Sequence, residues 1–384
     1  MAFGIYIHIP YCLQKCLYCD FSTTSLEDPI SPEEYIQLII KEISTRHQEI
    51  PEKTVDSIFL GGGTPSLLEG FFFQLLFKRF KDSGFVFSES IEISIEMNPE
   101  TVSERKIEDY LKIGINRFSL GVQTFKEDFL KRCGRKHTPQ HSFKALEILS
   151  KYHLNFSLDL IYALPNQTLD DLKTDLHQAL EFHPLHMSVY ELTVPSHHTL
   201  SQGRPIEPTQ IEMRQVIQET LENHGLFKYE ISNFSQKGYE SIHNSLYWSQ
   251  QDYWGLGVSA HSYLSPKRFW NPYHLPTYKK QILKHLKIKD LPPSQKEVLS
   301  LSQKLTELCY TSLRTTKGLC LDQLNPFGLQ IKEMVLSKIK NLQKRNLITI
   351  KDNHVSLTPE GELISNQVFV ELTFLPTEIE FSSS

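Results

Sequence analysis

Cys12, Cys16 and Cys19 stand within eight positions, in the spacing C-x3-C-x2-C, just after the apolar run Tyr6-Ile-His-Ile-Pro10. They are half of the six cysteines in the chain, so one loop concentrates the soft ligands. Three thiolates on a tight loop can hold three irons of a cubane and leave the fourth iron open to bind and activate a small molecule. A structural zinc site usually draws four ligands from two separated pairs. Cys133, Cys309 and Cys320 are isolated and form no second pair, so the spacing favours the open-iron cluster, with zinc as the main alternative. A disulfide framework fits poorly in a chain of 384 residues that shows no secretory signal. The Cys-Pro that completes a two-cluster ferredoxin pattern is absent.

A loop of this kind has to be held by regular elements. Short β-rich runs recur at Gly4–Ile9, Val55–Leu60, Ser90–Glu96, Asn116–Leu120, Asn155–Ile161 and His186–Leu192. Amphipathic stretches lie between them, and Ser31-Pro-Glu-Glu34, Ser66-Leu-Leu-Glu69, Thr101-Val-Ser-Glu104 and Thr168-Leu-Asp-Asp171 match or approximate capping boxes. Six strand–helix units in succession predict an α/β protein with a parallel sheet and helices outside. Eight units would close a full barrel, so six predict an open, partial (β/α)6 barrel.

Chemistry in such a barrel gathers at the C-terminal ends of the strands. Those ends carry the three cysteines, Gly61-Gly62-Gly63-Thr64, Glu96-Met-Asn98-Pro99, Gly121-Val-Gln123, Asp159 and Tyr190-Glu191. Consecutive glycines let backbone approach a ligand, because no Cβ intervenes. Glu96 could bond hydroxyls or an ammonium group, Gln123 and Asp159 offer similar polar contacts, and Arg135 could grip a carboxylate bidentately. Taken singly, each has an ordinary structural rival. No acid–base or nucleophilic triad stands out.

All three tryptophans, Trp248, Trp254 and Trp270, fall within 23 residues, in a stretch that also carries His243-Asn-Ser-Leu-Tyr247-Trp248. A histidine amid aromatic rings could be an axial heme ligand. A satisfied core histidine in an aromatic packing layer is the rival explanation, and residues alone favour it. The last ninety residues predict helices and a hairpin, Leu347–Ile350 with His354–Leu357, in a winged-helix outline. No convincing base-reading side chains accompany it, so nucleic acid is not expected as a partner.

Composition is that of a soluble globular protein, and no apolar run reaches the ~20 residues of a membrane span. A cytoplasmic location is expected. The net charge of −5 hides a basic third: Thr277 to Arg345 holds 14 Lys and Arg against 5 Asp and Glu. That excess could face propionates or lipid headgroups, so peripheral membrane contact is one expectation; a solvated helical face explains it equally well.

The cysteine loop, preceded by Tyr-Ile-His-Ile-Pro and followed by Gly61-Gly-Gly-Thr-Pro-Ser66, resembles the radical S-adenosylmethionine superfamily. More narrowly it is similar to the HemN/HemW group, which comprises oxygen-independent coproporphyrinogen III dehydrogenases and heme chaperones, and the likeness runs from Tyr6 to the C-terminal region. This resemblance implies a [4Fe–4S] cluster on Cys12, Cys16 and Cys19, with S-adenosylmethionine chelating the fourth iron, from which one electron would split the sulfonium. It implies cofactor contacts at Tyr6, Tyr18, Gly62, Gly63, Thr64, Glu96, Gln123, Arg135 and Asp159, some of which line a second S-adenosylmethionine in HemN. The HNxxYW motif resembles a heme-associated signature, which points to His243 as a heme contact. Coproporphyrinogen dehydrogenases resemble C-x3-C-x2-C-x-C, whereas Phe21 stands at the fourth position here, and the motif begins already at Tyr6. Both departures favour the chaperone branch over propionate decarboxylation. Residues 1–230 are then expected to form the radical-SAM barrel and 231–276 the heme-contact segment. Residues 277–384 would form a mainly helical, winged-helix-like domain, which covers the barrel opening in the resembled family. Heme or porphyrin, a heme-acceptor protein and a low-potential electron donor are the expected partners.

Overall fold

The structure, a computed structural model, describes residues 2–381. Six parallel strands alternate with helices: β1 (Gly4–Ile9), β2 (Thr54–Gly62), β3 (Val86–Met97), β4 (Arg117–Gln123), β5 (Phe156–Tyr162) and β6 (His186–Glu191). The helices that cross between them include α1 (Pro32–Arg46), α2 (Gly70–Asp82), α3 (Glu104–Lys112), α4 (Pro139–Lys151) and α5 (Leu169–Leu180). After α6 (Glu207–Asn223) come β7 (Phe227–Glu230) and β8 (Asn233–Ser235), which continue the sheet antiparallel beyond β6.

The six strands expected from sequence are present, and the sheet is larger than they alone would make. Past α7 (Ile242–Trp248), β9 (Tyr253–Leu256) pairs with β1 in parallel, with Gly4 opposite Tyr253 and Ile7 opposite Leu256. Three antiparallel strands follow outward: β10 (His261–Leu264), β11 (Lys267–Trp270) and β12 (Lys296–Val298). The twelve strands run open from β12 to β7, so the barrel is partial.

Strand alternation explains why the inside of this barrel is lined largely by polar side chains. Successive side chains point to opposite faces. Ile5, Ile7 and Ile9 of β1, Ile93, Ile95 and Met97 of β3, and Phe118, Leu120 and Val122 of β4 are buried against the helices. The intervening positions form the interior wall: Tyr6, Phe59, Ser94, Glu96, Ser119, Ser157, Asp159 and Ser188. Helix α1 supplies Tyr35, Ile36, Ile39 and Ile43 to the outer core. It also buries Glu42, whose carboxylate pairs with Arg46 and accepts from Asn271 Nδ2 (2.7 Å), Tyr278 Oη (2.7 Å) and the Gly257 N–H (3.0 Å).

Two capping signals act as expected: Ser31 Oγ accepts from the Glu34 N–H, and Thr168 with Asp171 makes a reciprocal box. Two do not. Ser66 lies in a short 3-10 turn, with Oγ bonded to Thr101 Oγ1 at 2.6 Å, and α2 begins later, at Gly70. Helix α3 is capped by Ser103, not Thr101. In both cases a proline after the strand, Pro65 or Pro99, spends a residue or more on a turn before the helix starts.

The C-terminal region has its own core, centred on Leu305, Leu308, Val335, Ile339, Leu342 and Val355. Helices α8 (Leu301–Leu313) and α9 (Leu329–Lys344) pack on a small sheet of β13 (Leu319–Cys320), β14 (Ile348–Lys351) and β15 (His354–Leu357), in the order β13-β15-β14. Asp352 and Asn353 both take positive φ at the hairpin turn, as a two-residue connection requires. No helix among the described residues is long and apolar enough to cross a membrane.

Candidate functional site

The cysteine loop leaves β1 at the rim and is fixed from two sides. Tyr11–Cys12 pairs with Thr24–Ser25, and the Leu17 N–H donates to Cys133 O at 3.0 Å while Gln14 Nε2 donates to Gly134 O at 3.0 Å. On the far leg His8 Nε2 bonds Ser22 O (2.8 Å), and Ser22 Oγ donates to Tyr273 O (2.6 Å). The three thiols line one cavity of about 400 Å³, together with Tyr18, Gly62, Gly63, Thr64, Glu96, Gln123, Arg135 and Asp159. Of the sequence-derived cofactor contacts in the barrel, only Tyr6 lies outside this wall. It lines a deeper chamber of about 260 Å³ instead.

Each wall residue has a local reason for its place. Gly62 has φ +114°, and a Cβ there would meet the His8 ring at 2.6 Å. Gly63 passes so close to the loop that a Cβ would lie 2.7 Å from Tyr11 O. The Gly62 N–H donates to Glu96 Oε2 at 2.9 Å. Burial pushes the Glu96 carboxyl up to about 8, so it holds its proton at neutral pH. Asp159, also raised by burial, accepts from Ser119 Oγ (3.0 Å) and Ser157 Oγ (3.4 Å). A register shift between β4 and β5 brings Gln123 to the rim with φ 69°. Tyr18 packs against the small apolar cluster that contains Phe129, Cys133, Ile161 and Leu164.

The donor set fits a cubane. Burial pushes Cys12 up to about 11 and raises Cys19, so ionised sulfurs there call for positive charge, which iron supplies. Thr64 Oγ1 donates to Cys12 Sγ at 3.6 Å, and Arg135 Nη1 donates to Cys16 Sγ at 3.5 Å. Among the described residues no three His, Cys, Asp or Glu side chains converge on a single-ion site. A cubane, whose thiolates sit on three different irons, needs no such convergence.

His243 lines the deeper chamber with Tyr6, Phe59 and Tyr247. Both its ring nitrogens are engaged, Nδ1 with Ser57 Oγ (2.8 Å) and Nε2 with Tyr247 Oη (2.7 Å), and burial pushes its pKa down to about 3. Ligation of iron through either nitrogen therefore requires that bond to open. The tryptophans are dispersed: Trp254 lies in the outer core against Phe80 and Phe85, Trp248 under Arg314, and Trp270 on His261. Glu96, Ser119, Asp159, Phe21 and Tyr190 line both chambers and form the wall that the two share.

Sequence reasoning gave no role to three residues that matter here. Asn98 and Glu191 were visible only as polar strand ends, and Cys133 as an isolated thiol. Asn98 bonds both Thr64 and Arg135. Glu191 holds Arg204 and Arg214 and lines the first cavity.

A family profile described as Radical SAM superfamily matches residues 6–179, and one described as HemN C-terminal domain matches residues 299–364. The heme chaperone HemW of Bacillus subtilis (strain 168) is 32% identical over 374 residues, 95% of this chain and 97% of that protein. The heme chaperone HemW of Escherichia coli (strain K12) is 37% identical over 262 residues, 67% of this chain and 69% of its own length. Among solved structures, coproporphyrinogen III oxidase (HemN) from Escherichia coli, a radical SAM enzyme, superposes with a TM-score of 0.82. It is 20% identical, covers 97% of this chain and 90% of its own, and so establishes the shared fold.

Proposed function

The chain belongs to the HemW heme-chaperone family of the radical SAM superfamily, and on that premise we propose that it binds heme and passes it to acceptor proteins. The observation that carries this is the convergence of three thiols, a glycine-lined rim and two half-buried carboxyls on one cavity, in a chain alike over nearly its whole length to a protein of that name. Cys12, Cys16 and Cys19 would hold a [4Fe–4S] cluster, and S-adenosylmethionine would lie along Gly62, Gly63, Thr64 and Glu96. When bound, such a cluster offers one iron free of protein thiolate, at which an amino acid can chelate and through which one electron can pass.

The chain's own part is to bind, orient and exclude water. Gly62 and Gly63 let the backbone approach the ligand. Glu96, protonated at neutral pH, can donate to a carboxylate or hydroxyl as well as accept from one. Gln123, Asp159 and Tyr18 would complete the cradle. Position 21 holds Phe21, half of whose surface or more is exposed at the junction of the two chambers, so no fourth thiol is offered there.

For heme, the reading assigns residues 231–276 and His243, with Tyr6, Phe59 and Tyr247 as its ring neighbours. The direct test is hemin titration of the anaerobically reconstituted protein. A Soret shift that disappears in His243→Ala, with about four irons per chain, is the expected result. Formation of protoporphyrinogen from coproporphyrinogen, or absence of any hemin-dependent spectrum, would overturn the proposal.

A further inference from the structure

Asn98 sits between the two hydrogen-bond donors that reach the cysteine sulfurs. Its Nδ2 donates to Thr64 Oγ1 at 3.0 Å, and its Oδ1 accepts from Arg135 Nη2 at 2.9 Å. The amide cannot be reversed, because its NH₂ would then face a guanidinium, which has donors only. Thr64 Oγ1 thus accepts from Asn98 and keeps its own proton for Cys12 Sγ. Arg135, fixed by Asn98 and by Gly121 O at 2.7 Å, presents Nη1 to Cys16 Sγ. Asn98 is itself anchored, since its N–H donates to Ser66 Oγ at 3.4 Å. Thr64 is 1% exposed, so water does not substitute for this hydroxyl.

Hydrogen bonds and positive charge at cluster sulfurs favour the reduced, more negative state and raise the reduction potential. Building on the cluster assignment above, we propose that Thr64, Asn98 and Arg135 are a relay of positioning residues that raises the potential of the cluster, with Asn98 setting the direction of both donors. The process concerned is a one-electron reduction, and the electron donor in the test is dithionite. Asn98→Asp is the diagnostic variant. A carboxylate accepts from Arg135 as before, but it also accepts the Thr64 proton and so takes it away from Cys12.

The experiment is a mediated redox titration of the anaerobically reconstituted full chain, followed by EPR. Loss of one sulfur-directed hydrogen bond in Asn98→Asp or Thr64→Val should lower the ratio of reduced to oxidised cluster about tenfold at fixed ambient potential, which is 59 mV for one electron. Thr64→Ser keeps the hydroxyl and should retain the wild-type midpoint. Unshifted midpoints in Asn98→Asp and Thr64→Val, each with a full complement of iron, would overturn the relay. So would a Thr64→Ser midpoint as low as that of Thr64→Val, because packing of the methyl would then be the cause. Iron loss in Asn98→Asp, with the melting curve of the iron-free protein unchanged, would support the relay, since the fold is then intact while the sulfurs are not held. A wild-type chain that takes up no iron overturns the cluster assignment itself.

Discussion

Replacing Gly63 with alanine would put a methyl group 2.7 Å from Tyr11 O and 2.8 Å from both C and O of Pro10. Ordinary Cβ contacts begin at 3.4 Å, so the shortfall is about 0.7 Å, and the atoms in the way are backbone. No side-chain rotation can relieve it. The backbone that must shift is the one that delivers Cys12, whereas metal–sulfur distances tolerate only about ±0.2 Å. Overpacking of this kind costs about 1–3 kcal/mol, which a chain of this size can survive. The expected outcome is a folded protein with a modestly lower melting temperature and a sharp drop in iron per chain after anaerobic reconstitution. Gly70→Ala is the control, because its nearest contact is an ordinary 3.4 Å, and iron uptake should be unchanged. A Gly63→Ala protein that takes up iron as the wild type does, with the same charge-transfer spectrum, would refute the reasoning that this glycine sets the position of Cys12.

Serine at Cys12, Cys16 or Cys19 should abolish cluster formation, whereas Cys133→Ser should retain about four irons per chain by chelation assay. Tyr247→Phe removes one of the two bonds that occupy His243, so hemin affinity should rise by roughly two- to tenfold in Soret titrations, the equivalent of about 0.5–1.5 kcal/mol. Glu42→Ala strands the Arg46 guanidinium in the outer core and should cost about 3–5 kcal/mol in denaturant melts; an effect below about 1 kcal/mol would contradict the buried-pair argument. His243 is held neutral by burial at about 3, well under its ordinary 6.5, so the unfolded chain binds the extra proton first. Stability from this group is complete above about 6.5 and is lost as pH falls toward 3. His243→Phe should therefore lose about 2 kcal/mol less than the wild type between pH 7 and pH 5.

The first six parallel strands were legible because each is a short run with apolar residues at alternate positions followed by a polar or glycine-rich end. Helix starts were less so: Pro65 and Pro99 divert the chain into 3-10 turns, which displaces the caps that Ser66 and Thr101 would otherwise have provided. Strand β9 escaped because Tyr253-Trp-Gly-Leu256 is only four residues long and its partner is β1, far away in sequence. The spacing of Cys12, Cys16 and Cys19 marked them as a ligand loop and left zinc as an alternative, which the family resemblance weighed against. Arg135 was legible as a rim cation but not as a donor to Cys16, since nothing in Gly134-Arg135-Lys-His137 says which sulfur the turn will face. The aromatic-rich stretch left a ligand platform and a packing layer both open, and its tryptophans serve separate packing tasks, because ring density carries no information about which face of the sheet each ring takes.

The tie between Ser22 and Tyr273 spans 251 positions, and β1 likewise waits for β9. During synthesis the first cysteines leave the ribosome long before residue 273 exists to hold them. Until then the far leg of their loop lacks its anchor and the flank of β1 is bare. The geometry of the cysteine loop thus draws on contacts from residues more than 240 positions downstream, which ties the loop to the far end of the sheet.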